Sequence, residues 1–448
     1  MTRVARAFRW PTALIAAIVA VVLLAACTPP PSPTAGSVPP AATPSGAGTG
    51  HLIAFDVNAA KVHVFALPEM RLTGSLDNVG FDNHVGSLVL PDGRVLFTSK
   101  SSSEVLALAI DGAGKPSIVQ RFKAELPEGG VWGQVDPTFR YFVVSSGYDD
   151  DRQALSVVDL KENRVAVLSL TMKEREEAHP WITSDPAQVY VGVGGEIQAY
   201  RLEDVLRGSA QPVATATVGL GSHGPVIAPD LKKILMTTSR GLEQVSYADG
   251  RLTAGTPIPW DANGRTTGRN ARPRLSMDGK FVYGAIAATQ PAGADLWAER
   301  AVDIHIANLI DGTAKRLPLD KGIAPRFQLS APYAFFAVTS AAGDAAYLFD
   351  VDAASPSFQS IVGKIALPSL KNGPRPGEPA AGKEGRSLAI TPDGAYAFVA
   401  QGGEAQILVI DTRRRSIVRT LDVPSPMTGG GYLVAVQPGM KVVDLSSR

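Results

Sequence analysis

The sequence predicts an all-β fold, a β-propeller of about eight four-stranded blades with seven as the alternative, and three observations predict it. Eight segments share one design: a short apolar strand, a turn built on Pro-Asp-Gly or a relative of it, and a second strand rich in Val, Tyr and Phe. Their turns are anchored at Pro91, Pro137, Pro186, Pro229, Met277, Ala331, Pro392 and Pro438, spaced 43 to 61 residues apart with a mean of about 50, the period of propeller blades. Most periods then continue into two further strands, as in EVLALAID…SIVQRFKA and QILVIDTRRRSIVRTLDV, so that each repeat supplies four.

Ahead of the repeats stands a different kind of segment. Arg3, Arg6 and Arg9 make a positive n-region, Trp10 to Ala26 is uncharged and apolar, and small residues lead to Cys27 in Leu24-Ala25-Ala26-Cys27. This is the order of an export signal, and its last four residues resemble the lipobox of bacterial lipoproteins. That resemblance implies a signal peptide over 1–26 and a lipid on Cys27, the sole cysteine of 448 residues. An uncleaved span is the competing reading, because the apolar run approaches the length that crosses a bilayer. Thr28, beside the cysteine, does not choose between the cell membrane and the outer membrane. From Thr28 to Gly50 large apolar groups and charges are almost absent, so ordering the backbone there would cost entropy with nothing buried in return. Residues 27–50 therefore read as a lipidated Cys followed by a disordered tether rich in Pro, Ser and Gly. A lone thiol makes no internal disulfide, and the domain over 51–448 has to be held by burial.

Within 51–448, the 40 residues before Pro91 and the 10 after Pro438 make up one more period. The strands HLIAFDV, KVHVFAL and RLTGSLD are expected to complete the blade that LVAVQPGMKVVDL begins, closing the ring and removing the open sheet edge. Seven blades follow instead if the period around Pro229 or Ala331 is not a full blade. The stretch TPDGAYAFVAQGGEAQILVIDTRRRSIVRTLDV, Thr391 to Val423, is similar to the YVTN-type repeat of exported bacterial propellers, relatives of the WD40-like class. This resemblance runs from His51 onward and is weakest in the fourth and sixth repeats; the Trp-Asp signature of true WD40 repeats is missing. It implies the fold and leaves function open, since the class includes binding proteins, lactone hydrolases and cofactor-carrying domains such as the haem d1 propeller of cytochrome cd1 nitrite reductase.

A net charge of +1 and no Lys/Arg cluster interleaved with aromatics argue against a nucleic-acid partner. Long insertions fall on one face of the expected ring. SSGYDDDRQ and AATQPAGADLWAERA join second to third strands in blades two and five, and PIPWDANGRTTGRN and PSLKNGPRPGEPAAGKEGR lead into the first strands of blades five and seven. The opposite face has minimal turns, PDGR, KENR and ADGR. Elaborated loops on one side of a rigid scaffold are where binding is built. Five to seven residues before the anchors stand His84, Trp132, His179, His223, Arg272, Arg326, Arg386 and Tyr432, with Arg274 two positions beyond Arg272. Three imidazoles, His84, His179 and His223, suit a transition metal such as Zn or Cu. The guanidiniums suit carboxylate or phosphate, and the two sets together suit a haem-type ligand. The same positions serve equally well to lock blade to blade through backbone carbonyls and acidic side chains.

Other candidates carry less. Asp149, Asp150 and Asp151 lack the spacing of a calcium loop, TMKEREEAHP reads as a solvated loop, and His51, His63 and His305 lie in alternating strands. A G-x-S-x-G nucleophile, a phosphate loop and a dinucleotide fingerprint are all absent. The sequence thus reads as a membrane-anchored extracytoplasmic module that binds an unidentified small molecule or protein through its loop-rich face and channel mouth. Its rivals are a metal or haem-type cofactor protein and, third, a lactonase-like hydrolase.

Overall fold

In the computed structural model, the structure is described from Gly48 to Gly439 except for residues 83, 100, 127–128, 147–151, 172–178, 185–186, 194, 210, 220–222, 228–232, 260–272, 289–290 and 325–326. The export-signal, Cys27 and tether readings therefore lie outside the described residues up to position 47, as do Asp149 to Asp151.

Among the described residues, strands pair into eight antiparallel four-stranded sheets, one per blade. The innermost strands of blades one to eight are Ser87–Val89, Gly130–Val135, His179–Ser184, His223–Ile227, Arg274–Leu275, Phe327–Leu329, Leu388–Ile390 and Tyr432–Val436. A turn anchor follows each of them, as the repeat spacing predicts. The weak fourth period carries His223–Ile227, Lys233–Thr238, Gly241–Ala248 and Arg251–Ala254, and the weak sixth carries Phe327–Leu329, Tyr333–Val338, Ala345–Asp350 and Ile361–Ala366. Both are full blades, so the seven-blade alternative falls.

Packing follows from the alternation along each strand. Middle strands are covered on both sides by neighbouring blades; Val95–Ser99 and Ala345–Asp350 are buried at every position. Outermost strands such as Pro116–Lys123 alternate buried and exposed. Each apolar cluster consequently draws on two blades: Leu96 and Val105 of blade one meet Phe142 and Val144 of blade two, and Phe55 and Val64 of blade eight meet Phe97 and Leu106 of blade one. A single blade could not bury either face alone, and the ring is the unit of stability.

Closure joins the two ends of the domain. The C-terminal strand Tyr432–Val436 pairs with Gly50–Asp56 in antiparallel register, His51 opposite Val436 and Phe55 opposite Tyr432. Beside this seam Gln437 Nε2 donates to Gly48 O (3.1 Å) and to Asp393 Oδ2 (2.8 Å), and Gly48 N donates to the same carboxylate oxygen (2.8 Å). Asp393 belongs to the first turn of blade seven, so the chain joins the ring on the face with minimal turns.

His63 sits inside the closing blade, buried, with Nδ1 2.8 Å from Ser75 Oγ and Nε2 2.9 Å from Ser425 Oγ. Burial pushes its pKa below the usual imidazole value, with Asp56 opposing. The folded ring binds a proton on this imidazole less readily than the unfolded chain, which takes one up near pH 6.5. Stability is therefore full above about pH 6.5 and falls as the pH drops below it. Thermal unfolding between about pH 7.5 and 5.5 should show this decline, and His63→Gln should flatten it. His51 is shifted the same way, so some slope persists; an unchanged slope in the variant would show that His63 contributes nothing.

Candidate functional site

The predicted site residues that are described lie at or beside the start of innermost strands, but not at one equivalent position. Trp132 is inside its strand, His179, His223, Arg274 and Tyr432 begin theirs, and His84 and Arg386 precede theirs. Register shifts between Gly130 and Gly133 and between His223 and Val226 insert residues at two of these strand starts, which displaces the evenly spaced ring that counting back from the turns suggests. Arg272, Arg326 and the side chain of His223 lie outside the described residues.

The side chains of Trp132, His179, Tyr432 and Arg386 meet neighbours across blade boundaries. Trp132 and His179 are both buried and pack edge to face, ring centroids 5.4 Å apart and planes at 74°, so blade two grips blade three. The backbone N–H of His84 donates to Asp82 Oδ1 (2.9 Å), and the other oxygen of Asp82 accepts from Gly130 N (2.8 Å), linking blade one to blade two. Tyr432 accepts a hydrogen bond from Ser87 N at 3.3 Å while its ring lies 5.0 Å from that of Phe81. Arg386 reaches from blade seven to blade six, where Nη2 donates to Asp344 Oδ2 (2.6 Å) and to Pro368 O (2.5 Å). Burial pushes the Arg386 pKa down and Asp344 opposes the shift. Among the described residues no three His, Cys, Asp or Glu side chains form a group that could hold a metal ion.

The central channel contains a cavity of about 170 Å³ walled by the innermost strands of blades one, five, six, seven and eight, with Arg274 and Tyr432 as the predicted site residues on its wall. Its remaining lining is mostly aliphatic, including Val89, Leu329 and Val434. As lined by the described residues, it is smaller than the roughly 300 Å³ at the lower end of small-molecule pockets.

A second, larger structure was not evident from residue spacing. The blade-seven insertion closes on itself: Glu384 N donates to Asn372 O (3.1 Å), and Glu378 accepts from Arg375 N and from Lys383 Nζ (both 2.8 Å). Its return leg packs against Gly430, whose φ of 88° suits glycine and where a Cβ would lie 2.8 Å from the Gly385 carbonyl. The blade-five insertion makes a 3-10 turn, Ala294–Glu299, that buries Trp297 and aims its Nε1 at Glu378 O (3.0 Å). Two insertions thus join above blade six. Under the junction lies a slot of about 130 Å³ walled by Trp297, Thr339, Ser340, Leu370 and Pro374, and beside it a basin of about 310 Å³ lined by Lys371, Glu378, Lys383 and Glu384. Gly373 and Arg375 line both. A lone Trp inside a loop of Ala, Gly and Pro was the one sequence signal for this junction.

No protein-family model matches the chain, and no curated protein matches it. Solved structures do. AztD from Citrobacter koseri superposes with a TM-score of 0.61 at 12% identity, over 88% of this chain and 100% of that one, and its apo form gives the same TM-score at 11% identity. Dihydro-heme d1 dehydrogenase NirN, solved in complex with DHE, gives a TM-score of 0.58 at 15% identity, over 87% of this chain and 75% of that one. At these identities the likeness is one of fold: this chain is an eight-bladed propeller similar in architecture to AztD and NirN.

Proposed function

We propose that the protein is a lipid-anchored, extracytoplasmic propeller that binds a ligand or protein partner through its loop-rich face. The observation that carries this reading is the hydrogen bond from Trp297 Nε1 to Glu378 O, which fastens insertions of two non-adjacent blades into one preformed surface. Insertions that served only as spacers would have no reason to be fastened together over a third blade, whereas a binding surface gains from being ordered beforehand. Support also comes from where the chain joins the ring. Gly48 is held on the minimal-turn face, so the chain enters the ring on the side opposite the insertions. The haem-type reading draws on NirN, which was solved with DHE; the channel cavity, as lined by the described residues, is about 170 Å³.

A photo-crosslinking residue at Asn372, on the loop-rich face, and another at Glu162, in a minimal turn, test the proposal in the cell envelope. Discrete adducts are expected from position 372 and not from 162. Equal labelling from both, or adducts from 162 alone, would overturn it. Protein purified in parallel should be colourless and metal-free; stoichiometric metal lost on changing His84 and His179 to Ala would replace this reading with the metal-binding one.

A further inference from the structure

We infer that the slot and basin on the loop-rich face form one binding site for a compact, ring-bearing anion, a single-ring carboxylate or phosphate, with Arg375 as the residue that recognises the anionic head. The inference deepens the reading of that face as a binding surface and rests on it. Size sets the first limit. A dry cavity of about 150 Å³ accepts benzene, so the slot of about 130 Å³ is at most large enough for one ring, and its opening toward the basin gives the remaining room. Its walls suit that occupant: the Trp297 indole and Leu370 are almost fully buried, Pro374 adds an apolar edge, and Thr339 and Ser340 offer polar groups at the margin. With the adjoining basin of about 310 Å³, the whole falls in the range of ordinary small-molecule sites, roughly 300–1,000 Å³.

Charge sets the second limit. The basin brings Lys371, Arg375 and Lys383 together with Glu378 and Glu384, but the carboxylates are already used. Glu378 accepts from Arg375 N and Lys383 Nζ, and that lysine holds its carboxyl below the usual range; Glu384 accepts from Gly429 N (2.5 Å). Asp344, at the slot, is paired with Arg386. The Arg375 guanidinium spends Nη2 on Lys371 O (3.2 Å), which steadies the side chain at the point shared by slot and basin. A guanidinium has five N–H donors, so a fork remains for an oxyanion. The Lys371 ammonium is already 3.9 Å from Glu404 Oε2, so a ring in the slot would place its carboxylate or phosphate within the basin beside Arg375.

Titration of the soluble chain from Gly48 onward with benzoate, phenyl phosphate, benzylamine and inorganic phosphate, followed by calorimetry and amide shifts, tests the site. Saturable binding of benzoate or phenyl phosphate is expected, with shifts in Gly373 to Glu384, and the tighter of the two identifies the head group. Arg375→Gln should weaken it about tenfold or more at unchanged melting temperature, since Arg375 is exposed. Trp297→Leu should weaken both aryl probes and leave inorganic phosphate as weak as before. Benzylamine binding as tightly as benzoate, no saturation below about 10 mM, or an Arg375→Gln variant that binds normally would each overturn the inference. Crosslinking at Asn372 reads the wider proposal separately: adducts there without probe binding would sink this site alone.

Discussion

A chain that stops at Gly431 fails to form the ring. The missing strand, Tyr432–Val436, is the innermost of blade eight and the one C-terminal strand that pairs with Gly50–Asp56 among the described residues; a chain ending at Gly431 keeps only side-chain links across the seam, such as Met427 N to Asp56 Oδ2 (2.9 Å). Its side chains divide between two interfaces: Tyr432 and Val436 pack with blade one, Leu433 and Ala435 with blade seven. Burying a large apolar side chain contributes about 1.5–3 kcal/mol, so losing Tyr432 and Val436 removes about 3–6 kcal/mol from the blade-one side of the seam and losing Leu433 about 1.5–3 kcal/mol from the blade-seven side. That is comparable with the roughly 5–15 kcal/mol of an entire domain. Deletion also strips the hydrogen-bonded partner from His51 to Phe55 and leaves an unpaired edge at the channel. Circular dichroism and size-exclusion chromatography should show an unfolded or aggregated chain. Leu433→Ala, by contrast, should cost about 2–5 kcal/mol and still fold. A truncated protein that melted cooperatively at the wild-type temperature would mean that the ring is closed by something else.

The parts of this architecture that the sequence made legible are those written in local pattern. Turn chemistry at Pro91 or Pro392 and alternating apolar strands mark blades because both depend on residues a few positions apart. The count of eight came from adding the two chain ends into one period, and the seam of Tyr432–Val436 on Gly50–Asp56 answers it. Repeats four and six read weakly for physical reasons. The innermost strand of blade four carries a register shift after His223, and in blade six the turn after Phe327–Leu329 has Ala331 where blade seven has Pro392-Asp393-Gly394. The site was less legible. Insertion lengths pointed to the face on which two insertions meet, yet the partners of Trp297, 81 residues away at Glu378, and of Arg386, 42 residues away at Asp344, depend on how one blade is rotated against the next. Spacing along the chain does not encode that rotation, and the register shifts at Gly130 and His223 break the equivalence on which counting relied.

Arg386 and Asp344 provide the sharpest test of whether residues at strand starts lock blades together. Their side chains are 2% and 6% exposed and meet at 2.6 Å, so each charge depends on the other for what water would otherwise supply. Removing one partner strands a buried charge: Arg386→Met leaves Asp344 with Ser340 N as its remaining described donor, at 3.1 Å, and Asp344→Leu leaves a guanidinium whose pKa burial already lowers. Each single substitution should cost about 3–5 kcal/mol, read as a fall in denaturant midpoint. The double variant Arg386→Met with Asp344→Leu should recover most of that loss, because it deletes both desolvation penalties and fills the space with apolar groups. Two further nitrogens of Arg386, Nε and Nη1, are buried with no acceptor among the described residues. The pair is therefore an incompletely compensated one, for which an apolar replacement can approach the wild-type stability. What the apolar pair cannot replace is the hydrogen bond from Arg386 to Pro368 O, where the blade-seven insertion begins. The double variant should accordingly regain stability while amides of Gly373 to Glu384 exchange faster than in the wild type. Additive losses in the double variant would show that the two charges do not act as a pair; unchanged exchange in the insertion would show that Arg386 locks the blades without ordering the loop above them.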